Sequence, residues 1–149
     1  MKKRESARAI IIEENQMVVM YREKKDMIYY VFPGGGLEEN EDIKDCVVRE
    51  IKEEFGINIE PLKEVYIYED SKTIQHFFTC IWKDGELGTG EGEEFQGNME
   101  KGIYIPMLID LNRLTDVKLL PSKVTKQLCE DLGKYGKDLR DNIKIIKED

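Results

Sequence analysis

The sequence is poor in the side chains that build transition-metal and disulfide sites. It has one histidine, His76, and three cysteines that lie far apart along the chain: Cys46, Cys80 and Cys129. This scarcity excludes a zinc cluster with the usual cysteine and histidine spacing, and it excludes a disulfide framework. We therefore expect reduced thiols and a cytoplasmic location.

Long apolar runs are also missing. No stretch is long enough to cross a bilayer, and the basic N-terminal segment lacks the apolar region of a signal peptide. The formal net charge is −8, which argues against nonspecific binding to nucleic acid or to an anionic membrane. We therefore expect no nucleic-acid partner and no membrane contact. At 149 residues, the chain is long enough for one domain with its own core.

Carboxylates are abundant, and they are concentrated in residues 38–54. This segment has eight acidic and three basic residues, which leaves a local charge of −5. Its acidic residues are Glu38, Glu39, Glu41, Asp42, Asp45, Glu50, Glu53 and Glu54. Like charges at such short spacing repel one another, so a compensating cation is expected.

Residues 42–55 of this segment have the pattern of an amphipathic helix. Asn40 is a suitable N-cap, the first turn is acidic, and Gly56 is a suitable C-terminal stop. Cys46 falls on the apolar face of this helix, so it is expected in the core rather than at a reactive position.

Three carboxylates of this helix form a candidate metal site. At about 100° per residue, Glu50, Glu53 and Glu54 share one arc of roughly 100°. Glu50 and Glu54 project into the apolar stripe, where an unpaired ionised carboxylate is costly and a bound cation would relieve that cost. All-oxygen ligation favours Mg²⁺, with Mn²⁺ as a possible substitute. Since Mg²⁺ commonly shares its coordination sphere with water and substrate phosphate, a phosphorylated substrate is expected.

The residues from Gly35 to Ile57 read G-x5-E-x7-R-E-I-x-E-E-x-G-I. This stretch resembles the Nudix box at every constrained position, and the preceding Tyr30–Gly35 is similar to the segment that leads into the box of MutT-like members. The resemblance implies an α/β Nudix fold, in which a mixed β-sheet is sandwiched between helices in an α/β/α arrangement. It also implies Mg²⁺-dependent hydrolysis of a phosphoanhydride bond in a nucleoside diphosphate linked to a group X, with water as the attacking group.

The resemblance implies roles for individual residues of the box. The metal ligands correspond to Glu50, Glu53, Glu54 and the backbone carbonyl of Gly34 or Gly35. Arg49 corresponds to the arginine that orients a box glutamate, and its i,i+4 spacing from Glu53 supports a direct contact. The general base differs between family members, so Glu53, Glu50 and a carboxylate on a later loop all remain open. Glu41 corresponds to the first glutamate of the box, whose role also varies.

That later loop comprises residues 85–98, which hold five glycines and four glutamates between two predicted strands. In similar Nudix proteins a glutamate of this loop reaches the metal site. Glu94 matches that position best, with Glu93 and Glu91 as alternatives. The opposing interpretation is an exposed loop with solvated acids.

Four further residues are candidates for substrate binding: Arg8, Arg22, Gly35 and Gly36. Arg22 follows the second predicted strand, where similar proteins often place a base that contacts phosphate, and Arg8 is expected to face the nucleotide pocket. The glycines let the backbone approach a ligand closely.

The chain is expected to form a Nudix domain over residues 1–136, followed by a charged C-terminal tail over residues 137–149 that frays. The last helix should begin at Pro121, end at Gly133 and Gly136, and bury Val124, Leu128, Leu132 and Tyr135 on one face. The predicted strands are Ala7–Ile12, Gln16–Tyr21, Met27–Phe32, Leu62–Tyr68, Thr73–Lys83 and Gly102–Ile109.

The short chain favours a nucleoside triphosphate, normal or oxidised, as the small-molecule substrate. The alternatives are hydrolysis of ADP-ribose, a dinucleoside polyphosphate, a nucleotide sugar or a capped RNA, and a noncatalytic Nudix module that only binds a nucleotide. The expected assembly is a monomer or a homodimer.

Overall fold

The computed structural model describes residues 2–90 and 102–149. These residues form one nine-stranded sheet, two α-helices and two short 3₁₀ turns, at Leu111–Arg113 and Gly136–Asp138. Within the described ranges, neither helix has the length and apolar character needed to span a membrane. The elements in chain order are β1 (Arg4–Glu13), β2 (Gln16–Lys24), β3 (Met27–Val31), β4 (Gly34–Gly36), α1 (Ile43–Phe55), β5 (Ile57–Glu69), β6 (Thr73–Gly85), β7 (Ile103–Asp110), β8 (Leu119–Leu120), α2 (Ser122–Tyr135) and β9 (Lys144–Lys147).

The sheet is mixed, as the resemblance implied. Its strand order is β8-β3-β2-β1-β6-β5-β9, with β4 paired to β1 and β7 paired to β2. The central pair β1 and β6 is parallel, whereas β1 and β4 are antiparallel. The short β4 therefore places the box glycines against the middle of the chain's first strand.

Side chains alternate between the two faces of the sheet along each strand, so the core has two layers. Phe77 packs with α2 residues such as Val124, whereas its neighbour Phe78 packs with α1 residues such as Ile51. Since successive strand residues point to opposite faces, α1 and α2 cover opposite faces of the sheet. This arrangement confirms the α/β/α expectation.

The N-cap of helix α1 lies two residues later than expected. The N-cap is Asp42, whose carboxylate accepts a hydrogen bond from the backbone N–H of Lys44 at 2.9 Å. Asn40 has a φ of 64°, so it lies in a left-handed turn and not in the extended conformation of an N-cap. Gly56 ends the helix in the left-handed conformation, with a φ of 79°, as expected.

Helix α2 follows Pro121 as expected, but two of its predicted features are wrong. Gly133 lies inside the helix, and Gly136 alone is its C-cap. Tyr135 is 42% exposed, although Val124 and Leu128 are buried. A glycine inside a helix costs only about 1 kcal/mol, so Gly133 does not end α2. Tyr135 is the last residue of the helix, beyond the turns that pack against the core.

The expectation that residues 137–149 fray is wrong for the segment Lys144–Lys147. This segment is β9, which pairs in parallel with the end of β5, and its Ile146 is buried. The hydroxyl of Tyr68 donates to the Glu148 carboxylate at 2.7 Å just beyond the strand. The edge of β5 provides the backbone hydrogen-bond partners of β9. Local sequence patterns do not reveal partners that lie so far away along the chain.

A buried polar network holds α2 to the sheet. The hydroxyl of Tyr66 in β5 donates to the Asp131 carboxylate of α2 at 2.6 Å, and Gln127 donates to the other oxygen at 3.1 Å. Burial, together with the bond to Asp131, raises the pKa of Tyr66, so its proton stays in place over the physiological range.

We expect Tyr66→Phe to lower the free energy of unfolding by about 1–3 kcal/mol, because the buried Asp131 carboxylate loses a donor. Urea denaturation at neutral pH measures this change. Tyr135→Phe, at an exposed position at the end of α2, is the control. Equal stabilities of the two variants would contradict a stabilising role for the network.

Candidate active site

Three carboxylates of the box, those of Glu50, Glu53 and Glu54, lie on the C-terminal half of α1. The helix is anchored in the core by Cys46, Val47, Ile51 and Phe55. The Glu50 side chain is 14% exposed and the Glu53 side chain is 55% exposed. Glu50 is therefore largely buried, whereas Glu53 is open to solvent.

The glycines of β4 make room for the Glu50 carboxylate. A Cβ atom on Gly35 would lie 2.4 Å from Cδ and 2.5 Å from Oε2 of Glu50. The neighbouring Gly34 has a φ of 145°, and a Cβ there would lie 2.0 Å from the Ala7 carbonyl oxygen. Glycine at position 34 therefore allows the strand to pair with β1, and glycine at position 35 leaves the Glu50 carboxylate in place.

Arg49 contacts three carboxylates of the box. Its guanidinium binds the Glu41 carboxylate through two contacts, Nε to Oε2 at 2.7 Å and Nη2 to Oε1 at 2.9 Å. Nη1 donates to Glu50 at 3.1 Å and to Glu53 at 3.3 Å, and Nη2 also donates to the Gly36 carbonyl at 3.2 Å. Arg49 reaches Glu53, as its spacing indicated, but its strongest contact is with Glu41, which helical spacing alone does not identify.

The contact between Arg49 and Glu41 has a clear electrostatic effect. The hydrogen bonds from Arg49 hold the pKa of Glu41 at about 2, far below the ordinary carboxyl range. The same contact raises the pKa of Arg49. Burial raises the pKa of the Cys46 thiol to about 11, so this cysteine is an inert core residue, as expected.

We expect Glu41→Gln to destabilise the protein in a pH-dependent way. Because the folded-state pKa of Glu41 is below its ordinary value of 4.5, its contribution is complete above that pH and is lost as the pH falls towards about 2. The difference in unfolding free energy between wild type and variant should therefore shrink over this window. Denaturant titrations across it measure the effect, and Glu39→Gln, at an exposed neighbour, should show none. A difference that stays constant with pH would contradict the assignment.

The donor set of the site suits a hard divalent cation. Glu50, Glu53 and Glu54 offer only oxygen atoms, and the Gly35 carbonyl faces α1, 3.5 Å from the Cys46 sulfur. Among residues 2–90 and 102–149, no three acidic, histidine or cysteine side chains already converge as metal ligands. The oxygen donors and their common helix face would suit a hard divalent cation such as Mg²⁺.

Arg22 lies inside β2, not beyond it as expected. Its cross-strand neighbours are Tyr29 in β3 and Tyr104 in β7. The guanidinium carbon is 4.2 Å from the Tyr104 ring centroid and 5.3 Å from that of Tyr29, and Nη2 donates to the Tyr104 hydroxyl. Arg22 has the same parity as Met20, which packs against the α1 core, so the three side chains lie on the α1 side of the sheet. Their grouping depends on strand register, which the sequence pattern did not reveal.

Arg8 lies in β1 directly opposite Gly34. Its Nη1 donates to the Phe32 carbonyl at 3.2 Å. Burial lowers the pKa of its guanidinium, while the charges of Glu54 and Glu50 raise it. Arg8 therefore lies beside the glycine strand and is partly exposed.

The proposed loop carboxylate, Glu94, lies outside the described residues, as do its alternatives Glu93 and Glu91. The described residues that converge are those of the box helix and the glycine strand β4, which Arg49 joins.

The sequence is similar to a known protein family. The profile of the NUDIX domain matches residues 2–107. A curated relative from Danio rerio, 8-oxo-dGDP phosphatase NUDT18, is 30% identical over 84 residues, which are 54% of this chain and 26% of the relative. The chain thus spans about a quarter of the length of that relative.

Solved structures share the fold. A NUDIX hydrolase from Nitrosomonas europaea matches with a TM-score of 0.74 at 16% identity, over 99% of this chain and 81% of the other. An ADP-ribose pyrophosphatase from Streptococcus suis matches with a TM-score of 0.63 at 19% identity, over 99% of this chain and 100% of the other. Since the domain profile covers more than half of the sequence and the box residues meet around Arg49, the chain belongs to the Nudix family.

Proposed function

We propose that this protein is a Mg²⁺-dependent pyrophosphohydrolase of nucleoside triphosphates, normal or oxidised. The proposal depends mainly on one observation: Nη1 of Arg49 donates hydrogen bonds to both Glu50 and Glu53. Gly35, beside them, leaves room for the Glu50 carboxylate. The name of the Danio rerio relative, an 8-oxo-dGDP phosphatase, supports a nucleotide with an oxidised base as one substrate.

In this proposal, Mg²⁺ is held by Glu50, Glu53, Glu54 and the Gly35 carbonyl, with Mn²⁺ as a substitute. When bound, the ion polarises the phosphoryl group and acidifies water. Arg49 is a positioning residue, because its bonds to Glu41 and Gly36 fix the guanidinium that orients Glu50 and Glu53.

Glu53 is the proposed general base, since its side chain is the more exposed of the two that Arg49 holds. It accepts a proton from the attacking water as the water oxygen bonds to phosphorus and the anhydride P–O bond breaks. Glu50 and Glu94 are the alternatives for this role. The products from a triphosphate are a nucleoside monophosphate and pyrophosphate.

The substrate is proposed to lie between the box and the Arg22 group. Arg22 supplies a cation, and Tyr29 and Tyr104 supply ring faces on the same side of the sheet as α1. The backbone of Gly35 and Gly36 allows close approach of the phosphates. The free, buried thiols of Cys46 and Cys80 suit a reducing compartment, so we place the enzyme in the cytoplasm.

A Mg²⁺-dependent hydrolysis screen over nucleotides and nucleotide conjugates tests the proposal. Formation of a nucleoside monophosphate and pyrophosphate from a triphosphate supports it. Efficient conversion of ADP-ribose to AMP and ribose phosphate would instead favour the second candidate, which the full-length match to an ADP-ribose pyrophosphatase makes specific. Binding without turnover of any substrate would indicate a noncatalytic module.

A further inference from the structure

Strand β9 is one edge of the sheet. Its inner side pairs in parallel with β5 over Lys144–Lys147. Its outer side pairs with no strand among residues 2–90 and 102–149. An open sheet edge presents backbone donors and acceptors to an extended strand that approaches it.

The backbone groups that point outward from β9 follow from its contacts with β5. The N–H of Glu148 donates to the Glu69 carbonyl of β5 at 2.9 Å. Backbone groups of alternate residues point to the same side of a strand, so Ile146 also faces β5. The N–H and C=O groups of Ile145 and Lys147 therefore point away from the sheet.

This outer edge is open to solvent and is partly apolar. Ile145 is 58% exposed, and Ile143, just before the strand, is 47% exposed. The carbonyl of Lys147 accepts a hydrogen bond from Nζ of Lys123 at 3.1 Å, and a carbonyl oxygen has a second lone pair for a further donor. The edge therefore combines accessible backbone groups with exposed isoleucines, as an interaction surface does.

The charges along β9 favour a second copy of this chain as the partner. In an antiparallel pair of β9 strands, outward-facing residues must lie opposite one another. The register that uses both outward residues of each strand places Ile145 opposite Lys147 of the second copy, and each such pair exchanges two backbone hydrogen bonds. In the same register Lys144 lies opposite Glu148 of the second copy, so lysine faces glutamate and not lysine.

The two-fold axis of this pair passes beside Ile146. The exposed Ile145 side chains of the two copies are then diagonal neighbours on one face of the joined sheet. Their contact removes apolar surface from water, which favours association. Strands related by a two-fold axis form a closed contact, so the product is a dimer and not a fibre.

We propose that β9 is a homodimer interface, in which the β9 strands of two copies pair antiparallel and join the two sheets edge to edge. The interface uses no residue of the box, so it is independent of the proposed catalytic function.

Sedimentation velocity over a series of protein concentrations tests this interface, because it gives the Kd of the dimer. Wild type, Ile145→Pro and Ile145→Lys are compared. Proline at position 145 removes an N–H that points away from the sheet, so the pairing of β9 with β5 is kept. Ile28→Lys is the matched control, since Ile28 is a similarly exposed isoleucine of β3, at 55%.

Ile145→Pro is expected to raise the Kd of the dimer by at least about 30-fold, because the two symmetry-related hydrogen bonds from this N–H are lost. Ile145→Lys should raise it about tenfold, since the new charge lies opposite Lys147 of the second copy. Ile28→Lys should keep the wild-type Kd. Far-ultraviolet circular dichroism checks that each variant is folded.

The charge pairs provide a second measurement. Lys144→Glu places two carboxylates opposite each other at both ends of the strand pair, so the Kd should rise about tenfold. Combining Lys144→Glu with Glu148→Lys restores opposite charges and should return the Kd towards that of wild type. This rescue depends on the antiparallel register and is not expected for a dimer that forms through another surface.

A wild type that stays monomeric at every concentration would overturn the proposal. A dimer whose Kd is unchanged in both Ile145→Pro and Ile145→Lys, or is raised equally by Ile28→Lys, would also overturn it. If Ile145→Pro does not fold, Ile145→Lys and the two charge variants decide the question.

Discussion

The Glu53→Gln and Glu54→Gln variants are each expected to lose turnover by about 10²- to 10⁴-fold while keeping the fold. Glutamine has the shape of glutamate but not its charge, so it is a poor metal ligand and no proton acceptor. Glu53 is more than half exposed, so the change leaves the core intact. Steady-state kinetics with saturating Mg²⁺ and far-ultraviolet circular dichroism measure the two quantities.

Glu130→Gln is the matched control, since Glu130 is an exposed glutamate on α2, on the other face of the sheet. It should have wild-type kcat and KM. Near-full Mg²⁺-dependent activity in both box variants would remove Glu53 and Glu54 from the metal site.

Gly35→Ala is expected to lower kcat by about 10²-fold with little loss of stability, since a displacement of about 1 Å at a reacting group has an effect of that size. Its added Cβ would collide with the Glu50 carboxylate and with no backbone atom among its three nearest neighbours. The carboxylate is the far end of a flexible side chain, so it moves away from its place and the strand stays paired.

Two other glycines provide the controls for that experiment. Gly133→Ala adds a methyl group in open space inside α2, so activity should be unchanged and stability should rise by about 0.4–1 kcal/mol. Gly34→Ala meets the Ala7 carbonyl at 2.0 Å, so it should disrupt the pairing of β1 with β4. A Gly35→Ala variant with wild-type kcat would show that the position of Glu50 does not control turnover.

Much of the box was predictable because it is local in sequence. Helical spacing placed Glu50, Glu53 and Glu54 on one face of α1, and Gly56 ended that helix where expected. The cap was misplaced by two residues, because the choice between Asn40 and Asp42 depends on a backbone turn that composition does not determine. Strand starts and ends were similarly approximate, as β5 extends five residues before its expected start.

Contacts between strands were not predictable in the same way. The grouping of Arg22 with Tyr29 and Tyr104 follows from the register of β2 against β3 and β7, where a shift of one residue would send Arg22 to the other face. The pairing of β9 with β5 depends on an open sheet edge more than 70 residues away in sequence. Neither the grouping around Arg22 nor the pairing of β9 with β5 produces a periodic pattern in the sequence of the strands involved.

The sequence by itself determined the family of this protein, because the constrained residues of the Nudix box and their spacing lie within 23 residues. The tertiary structure alone decided which charges compensate those carboxylates. Arg49 and Glu41 are close in sequence, but their two-point contact requires the turn before α1. Electrostatic compensation acts through space, so it follows the fold and not the order of the residues.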